Sequence, residues 1–364
     1  MASPPTVNRR HVLAASALAA GALAPLLSSC ATDLTATADV PLPDLAARLG
    51  VCAVSHATLR AGRPQPSVQL SGCTPAQPPE RTALFQAASL TKPLVAYVVL
   101  QLARAGQLDL RAPVSRYLPD GYAHRQRPFA GPAQQQSDLV SADTLARSPL
   151  ATLLNHSAGL PNWTAGALAP QFTPGERWQY SGEGYLLLQA VVAAVAGRPF
   201  EAVVQTMAFG PLGLRDAHLR RTADIDGRVL PGFDARGQRR ELRLVEANAA
   251  ASLHTTADDH ARLMAGWLAE PGLVAQVLAA PVPVDPALGL AWGLGWGIET
   301  ADGGPCLWQW GNNPGFRAFA TVSVTSGDGF VLLSNSERGM PLAAALAQAT
   351  VPARHGVFRF GMLG

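Results

Sequence analysis

The chain has 364 residues, enough for two domains or for one large domain carrying an insertion. With 48% hydrophobic and only 15% charged residues it reads as a well-packed globular protein, which excludes an intrinsically disordered chain. A formal net charge of +3, with no basic run beyond short pairs such as Arg239-Arg240, gives no support for nucleic acid as a partner.

The opening stretch "NRRHVLAASALAAGALAPLLSSC" sets Arg9 and Arg10 ahead of an Ala/Leu segment that is short for a membrane span. It resembles a twin-arginine export signal over residues 1–30. Leu27-Ser28-Ser29-Cys30 resembles a lipoprotein cleavage box, which implies Cys30 as a lipid anchor to a membrane. A signal cleaved without lipid is the alternative. A Thr/Pro-bearing linker at 31–42 and one folded domain over 43–364 complete the expected organisation. No later segment is long and apolar enough for a transmembrane helix, so the expectation is an exported protein of the periplasm or cell envelope, soluble apart from any tether.

"VCAVSHATLRAGRPQPSVQLSGC" alternates like two strands around a Gly/Pro turn, which sets Cys52 opposite Cys73. Either an oxidising compartment joins them as a disulfide or both are buried thiols. Cys306 lacks the paired spacing of a zinc site.

Residues 94–105 are apolar nearly all round, predicting a buried central helix ended by Gly106, with Pro93 within a turn of its start. From about 110 to 180 the chain is irregular, with a short helical piece at 143–160. Amphipathic helices are predicted at 185–197, 200–213 and 256–270. The period then switches, with antiparallel strands at 291–300, 316–326 and 329–336 before a closing helix at 341–350. Strands at both ends with helices between them make an α+β protein. Its antiparallel sheet is built from both chain ends (about 43–90 and 288–364), flanked by helices, with a mostly helical insertion at 91–287.

Within "FQAASLTK", Ser89 and Lys92 stand at i and i+3, so on a helix they share a face. A serine hydroxyl is a poor nucleophile until a neighbour takes its proton, and lysine can do so only if burial lowers its pKa from about 10.4. Taken alone the pair is a weak signal. It is joined by Tyr180 in "PGERWQYSGEGYLLL" and Gln309-Trp310-Gly311 in "WQWGNNPGF", with "LLNHSAGLPNW", "FGPLGL", "SLHTTADD", "AWGLGWGIE" and "VLLSNS" as landmarks. The combination spans most of the chain and resembles the serine β-lactamase, penicillin-binding protein and esterase superfamily, in particular its class C-like branch.

That resemblance implies a β-lactamase/transpeptidase-like fold and an acyl-enzyme on Ser89, with Lys92 as its hydrogen-bonded partner. Tyr180 would be the general base, its phenol pKa brought down beside Lys92. The oxyanion hole would be the backbone N–H groups of Ser89 and Asn312, the latter on an edge strand. Gln309, Trp310, Gly311 and Gly182 take the substrate-binding positions, and no metal or cofactor is implied. Two positions depart from the family pattern. Tyr180-Ser181-Gly182 replaces Tyr-x-Asn, and Gln309 stands where Lys or His is usual. A substrate carboxylate would lose a charge-assisted bond of about 1.5–3 kcal/mol. The expectation is therefore a small-molecule neutral ester, or an amide or cell-wall peptide lacking that carboxylate. The rivals are a β-lactamase or D-Ala-D-Ala carboxypeptidase, in which Arg317 could supply the charge, and a catalytically weak binder of cell-wall fragments.

Other polar candidates have plainer readings. Ser157 lacks the glycine of a nucleophile elbow and reads as a turn serine. His156 and His254 have no metal-ligand spacing and read as hydrogen-bonded loop residues. Glu183 reads as a solvated first-turn carboxylate. Of Trp292, Trp296, Trp308 and Trp310, only the last is expected to line a pocket.

Overall fold

Two stretches of β-branched and aromatic residues, one near each end of the chain, meet in one sheet. The structure, a computed structural model, describes residues 40–129 and 136–363. Arg9, Arg10, Cys30 and most of the linker lie outside the described residues. A first helix, α1 (Leu42–Leu49), leads into β1 (Val54–Arg60), β2 (Arg63–Pro64) and β3 (Val68–Leu70). The chain then leaves the sheet through β4 (Phe85–Ala88), α2 (Thr91–Arg104), the hairpin β5 (Tyr122–Arg125) and β6 (Ser137–Val140), α3 (Ala142–Leu145) and α4 (Leu150–Leu154). There follow α5 (Gly182–Ala196), α6 (Phe200–Val204), α7 (Gly210–Leu212), β7 (Gly232–Phe233), β8 (Arg239–Arg240), β9 (Leu253–Thr255), α8 (Ala257–Leu268) and α9 (Pro271–Ala279). The sheet resumes with β10 (Val282–Asp285), β11 (Leu290–Trp292), β12 (Gly297–Ala301), β13 (Gly304–Asn313), β14 (Phe316–Ser323) and β15 (Gly329–Ser334), before α10 (Met340–Thr350).

Strand order is β10-β11-β12-β13-β14-β15-β1-β2, with β3 also on β1. The two ends of the chain join where β1 runs antiparallel to β15, Val54 opposite Ser334 and Leu59 opposite Gly329. Successive side chains of a strand point to opposite faces, and here both faces are apolar. Along β15, Phe330 and Leu332 pack with α10, while Val331 and Leu333 join the core that holds α2, α5 and α8. Each large side chain so buried contributes about 1.5–3 kcal/mol, which is why the sheet carries helices on both sides.

Helix α2 is buried at every position from Thr91 to Leu100. Pro93 lies in its first turn, where no intrahelical donor is lost, and Gly106 follows its end at φ +71°. Helix α5 is capped by Ser181, whose hydroxyl accepts from Gly184 N–H at 2.9 Å, and ends at Gly197 in the left-handed region. Helices α1 and α9, the two short hairpins and the β4–β9 pair are additions to the elements predicted from the sequence. Among the described residues no single helix is long and apolar enough to cross a membrane.

Of the two readings for the first cysteines, the disulfide holds: Cys52 and Cys73 are bonded, 21 residues apart, beside the β1–β3 pairing. Closing a loop of this size restricts the unfolded chain. Replacing both cysteines by alanine should lower stability by about 2–4 kcal/mol, measured as a lower urea midpoint, with the reduced wild type shifting in the same direction.

Candidate active site

The turn from β4 into α2 is sharp. Ala88 takes φ +49°, a conformation that costs a side-chain-bearing residue energy, and Thr91 Oγ1 donates to its carbonyl at 2.6 Å. Ser89 is half-buried in this turn, just ahead of the helix and not on it as the sequence predicted. Lys92 N–H still bonds to Ser89 O at 2.9 Å, so the turn continues the helical path and keeps the two side chains together. Lys92 Nζ lies 3.1 Å from Ser89 Oγ.

Lys92 is fully buried, and burial alone pushes its amine well below the usual lysine range. Its Nζ donates to Ala250 O at 2.8 Å and faces the rings of Tyr180 and Tyr185 at 4.7 and 5.4 Å. Burial raises the Tyr180 phenol, and hydrogen bonds with Ser89 and Gln309 only partly oppose that.

Strand β13 is interior to the sheet, not an edge as predicted. However, its pairing with β12 ends at Trp308 opposite Gly297, while its pairing with β14 runs on to Asn313 opposite Phe316. Residues 309–313 therefore form a local edge, where backbone N–H groups such as that of Asn312 can face the cleft. Gly311 allows this approach, because a Cβ there would lie 2.3 Å from Ala87 O. Its part is to let β4 and the Ser89 turn pass close beneath the strand.

Gln309 is also placed differently from the substrate-binding expectation. It is completely buried behind the serine, donating from Nε2 to Ser89 O at 2.8 Å and to the Tyr180 hydroxyl oxygen at 3.2 Å. Trp310 does line the cleft, its ring 4.6 Å from that of Tyr180. Trp292, Trp296 and Trp308 are core. Arg317 spends its guanidinium on the carbonyls of Phe316 and Asn313, at 2.9 and 3.4 Å, and does not line the cleft.

Gly182 faces no substrate space, because a Cβ there would sit 2.3 Å from the Trp163 indole. Glu183 is buried and not solvated. Oε1 accepts from Thr164 N–H at 3.1 Å and Oε2 lies 3.3 Å from His124 Nε2, while His124 Nδ1 meets Asp138 at 2.7 Å. Burial raises the Glu183 carboxyl. This cluster ties the loop carrying Asn162 and Trp163 to α5 and to the β5–β6 hairpin.

His156, read from the sequence as a hydrogen-bonded loop residue, is buried at φ +59°. Its Nδ1 accepts from Ser181 N–H at 3.1 Å and its ring lies 4.4 Å from that of Tyr180. It fixes both the backbone and the ring of the second motif, and only its position 24 residues ahead of Tyr180 could have hinted at this. His254 lies on the buried strand β9 and not in a loop, bonding to Ser252 O at 2.9 Å, whereas Ser157 Oγ donates to Asn155 Oδ1 at 2.7 Å as a turn residue does.

The resulting cleft measures about 370 Å³, with Ser89, Tyr180, Trp163, Trp310, Asn162 and Asn312 among its walls and, among the described residues, neither Lys nor Arg lining it. Among the described residues no group of three or more His, Cys, Asp or Glu side chains is placed to hold a metal ion. The packing at Gly182 is directly testable. Gly182→Asn should lower stability by about 1–3 kcal/mol in urea unfolding. In a Trp163→Ala background the same change should cost less than about 1 kcal/mol, since the clashing ring is gone.

Comparison with known proteins identifies the family and the fold. The chain is 29% identical over 348 residues to esterase EstB of Burkholderia gladioli, an alignment covering 75% of this chain and 83% of the esterase. Penicillin-binding protein 4* of Bacillus subtilis is 27% identical over 169 residues, 40% of this chain and 33% of that protein. The fold superposes on a class C β-lactamase with TM-score 0.68 at 17% identity, covering 86% of this chain and 96% of the other. It also superposes on the D-amino acid amidase of Ochrobactrum anthropi SV3 with TM-score 0.65 at 21% identity, covering 85% and 98%. A family model described as Beta-lactamase matches residues 57–354, and with that span the chain belongs to the β-lactamase family of serine hydrolases.

Proposed function

We propose that this hydrolase cleaves uncharged carboxylic esters, and amides without a nearby carboxylate, through an acyl-enzyme on Ser89. The observation that carries this reading is the cleft itself: aromatic and amide walls around Ser89, with no Lys or Arg among the described residues that line it to meet an anionic substrate. The esterase relative, matched over most of both chains, supports the same substrate class.

The steps follow from the positions of the groups. The free amine of Lys92 takes the proton of Ser89 Oγ as that oxygen bonds to the substrate carbonyl carbon. The negative charge that develops on the carbonyl oxygen is met by the backbone N–H groups of Ser89 and Asn312. As the bond to the leaving oxygen breaks, the Tyr180 hydroxyl gives up its proton to that oxygen, and Lys92 restores it. Water then attacks the acyl-enzyme by the same relay in reverse, releasing the acid. Lys92 holds a positive charge only between these transfers, when Ala250 O and two tyrosine ring faces are there to stabilise it.

A 4-nitrophenyl ester of a short acid should be turned over and a chromogenic cephalosporin cleaved far more slowly. Ser89→Ala should abolish ester turnover while keeping the wild-type unfolding midpoint. Rapid cephalosporin cleavage would overturn the substrate assignment, and full activity in Ser89→Ala the nucleophile.

The pH profile separates the two possible bases. A base must be deprotonated, so ester turnover should fall as pH drops through the depressed pKa of Lys92. Tyr180→Phe should lower kcat about 10²–10³-fold yet keep that acid limb, because the titrating group remains. Loss of the limb in Tyr180→Phe would return the role of base to the tyrosine.

A further inference from the structure

After α10 the chain runs back along the sheet to the cleft, and a buried pair sets its path. His355 Nδ1 meets Glu299 Oε2 and His355 Nε2 meets Val351 O, both at 2.7 Å, with both side chains almost wholly buried. The two acceptors are oxygens, an arrangement that suits the imidazolium, in which both ring nitrogens donate. Burial lowers the imidazole, but its bonds to Glu299 and Val351 outweigh that and raise it. The other oxygen of Glu299 accepts from Val357 N–H at 2.9 Å, so this carboxylate on β12 holds the segment both at a side chain and at its backbone.

Val357, Phe358 and Leu363 are buried in the core shared with α10, the Phe358 ring 5.0 Å from that of Phe319 on β14. Phe360 packs among the rings around Tyr180. Its centroid lies 6.1 Å from that of Trp178, 5.9 Å from Trp308 and 6.0 Å from Trp310, while the Tyr180 ring lies 6.2 Å from Trp178 and 4.6 Å from Trp310. Leu363 N–H bonds back to Phe360 O at 3.1 Å, a turn that sets Met362, 39% exposed, in the wall of the cleft that holds Ser89. Residues 355–363 follow the stretch 57–354 matched by the family model, so the family pattern assigns them no part.

The side from which this segment enters decides what it can touch. In the reaction above, the Tyr180 hydroxyl hands its proton to the oxygen that leaves, so the alcohol part of the ester lies toward Tyr180 and its neighbours. Met362 reaches the cleft from the ring cluster that holds Tyr180 and Trp310. Its thioether side chain is unbranched and polarizable, fits groups of varied shape and makes favourable contacts with aromatic rings.

We propose that Met362 is a specificity-determining residue for the alcohol part of the substrate, its side chain packing on an apolar group bonded to the leaving oxygen. The inference rests on the ester-hydrolase reading above and names the class of alcohol within it: arylalkyl alcohols in preference to short alkyl ones.

The test keeps the acyl group constant and varies the alcohol. Ethyl acetate is compared with 2-phenylethyl acetate, both followed by release of acid, with the Ser89→Ala rate as background. Both give the same acetyl-enzyme, so a difference in kcat/KM arises before that intermediate, while the alcohol is still bound. Wild type should favour the 2-phenylethyl ester. Met362→Ala should cut the ratio of the two kcat/KM values about three- to tenfold, and Met362→Leu, close in volume, should keep most of it. The kcat/KM ratio of 4-nitrophenyl acetate to 4-nitrophenyl pentanoate, where only the acyl group differs, should not change in Met362→Ala. A wild type indifferent to the alcohol, an alcohol ratio unchanged in Met362→Ala, or a shift in the acyl ratio in its place would overturn the inference and leave the hydrolase reading intact. No turnover of any of these esters by wild type would overturn both.

Discussion

The site depends on one amine held out of water with no counter-ion. A fully buried ammonium would cost many kcal/mol, and burial accordingly pushes the amine well below the usual lysine range. This requires a dry surrounding, which explains why α2 is buried over its first ten residues and not along a single stripe. It also requires that no carboxylate come near, since an ion pair would restore the charge. The carboxylates of the region obey this: buried Glu183 and half-buried Asp138 face His124, and buried Glu299 faces His355. The groups that do approach Lys92 are the Ser89 hydroxyl, a carbonyl and two aromatic faces, none of which carries a charge.

The second constraint is closeness. The serine must sit ahead of a buried helix and beneath the open end of a strand, and both needs are met by backbone geometry. Ala88 adopts a conformation that side chains rarely take, and Gly311 gives up its side chain so that Ala87 O can pass. The energy stored at Ala88 is offset by what surrounds it, the β4–β9 pairing on one side and the apolar core around α2 on the other. A rigid frame of this kind lets a half-buried hydroxyl keep its distance from Lys92 without help from the substrate.

Much of the frame was legible because it is periodic. The all-round apolar run of α2, the two-residue alternation of β14 and β15 and the proline and glycine signals at helix ends are local patterns, and the structure follows them. Strand β13 was misplaced as an edge because pairing partners are set by topology, which no single strand encodes. Local patterning also could not tell that Glu183 is buried. A carboxylate in a first turn is ordinarily solvated, and only a histidine 59 residues earlier, brought across by the β5–β6 hairpin, makes its burial tolerable. The same applies to Gly182, whose meaning lies in a tryptophan 19 residues away. The motif serine, lysine and tyrosine were visible as residue types at a spacing, whereas their protonation states were not, because those depend on how completely the fold removes water.

Gln309 shows how the two constraints combine. Ser89 O and the Tyr180 hydroxyl oxygen both call for a donor at that point, and one primary amide supplies two N–H groups there without a charge. The cost is visible, since Oε1 of Gln309 is buried and has no partner among the described residues, a penalty of about 1–3 kcal/mol. Turning the amide over would not relieve it, because Oε1 would then face the Ser89 carbonyl oxygen. A lysine at 309 would meet both acceptors and leave no orphan, but it would set a second amine in the same dry space as Lys92, each making protonation of the other harder. With glutamine there, Lys92 is the one amine among the described residues around Ser89, and the Tyr180 oxygen accepts a neutral bond from Gln309.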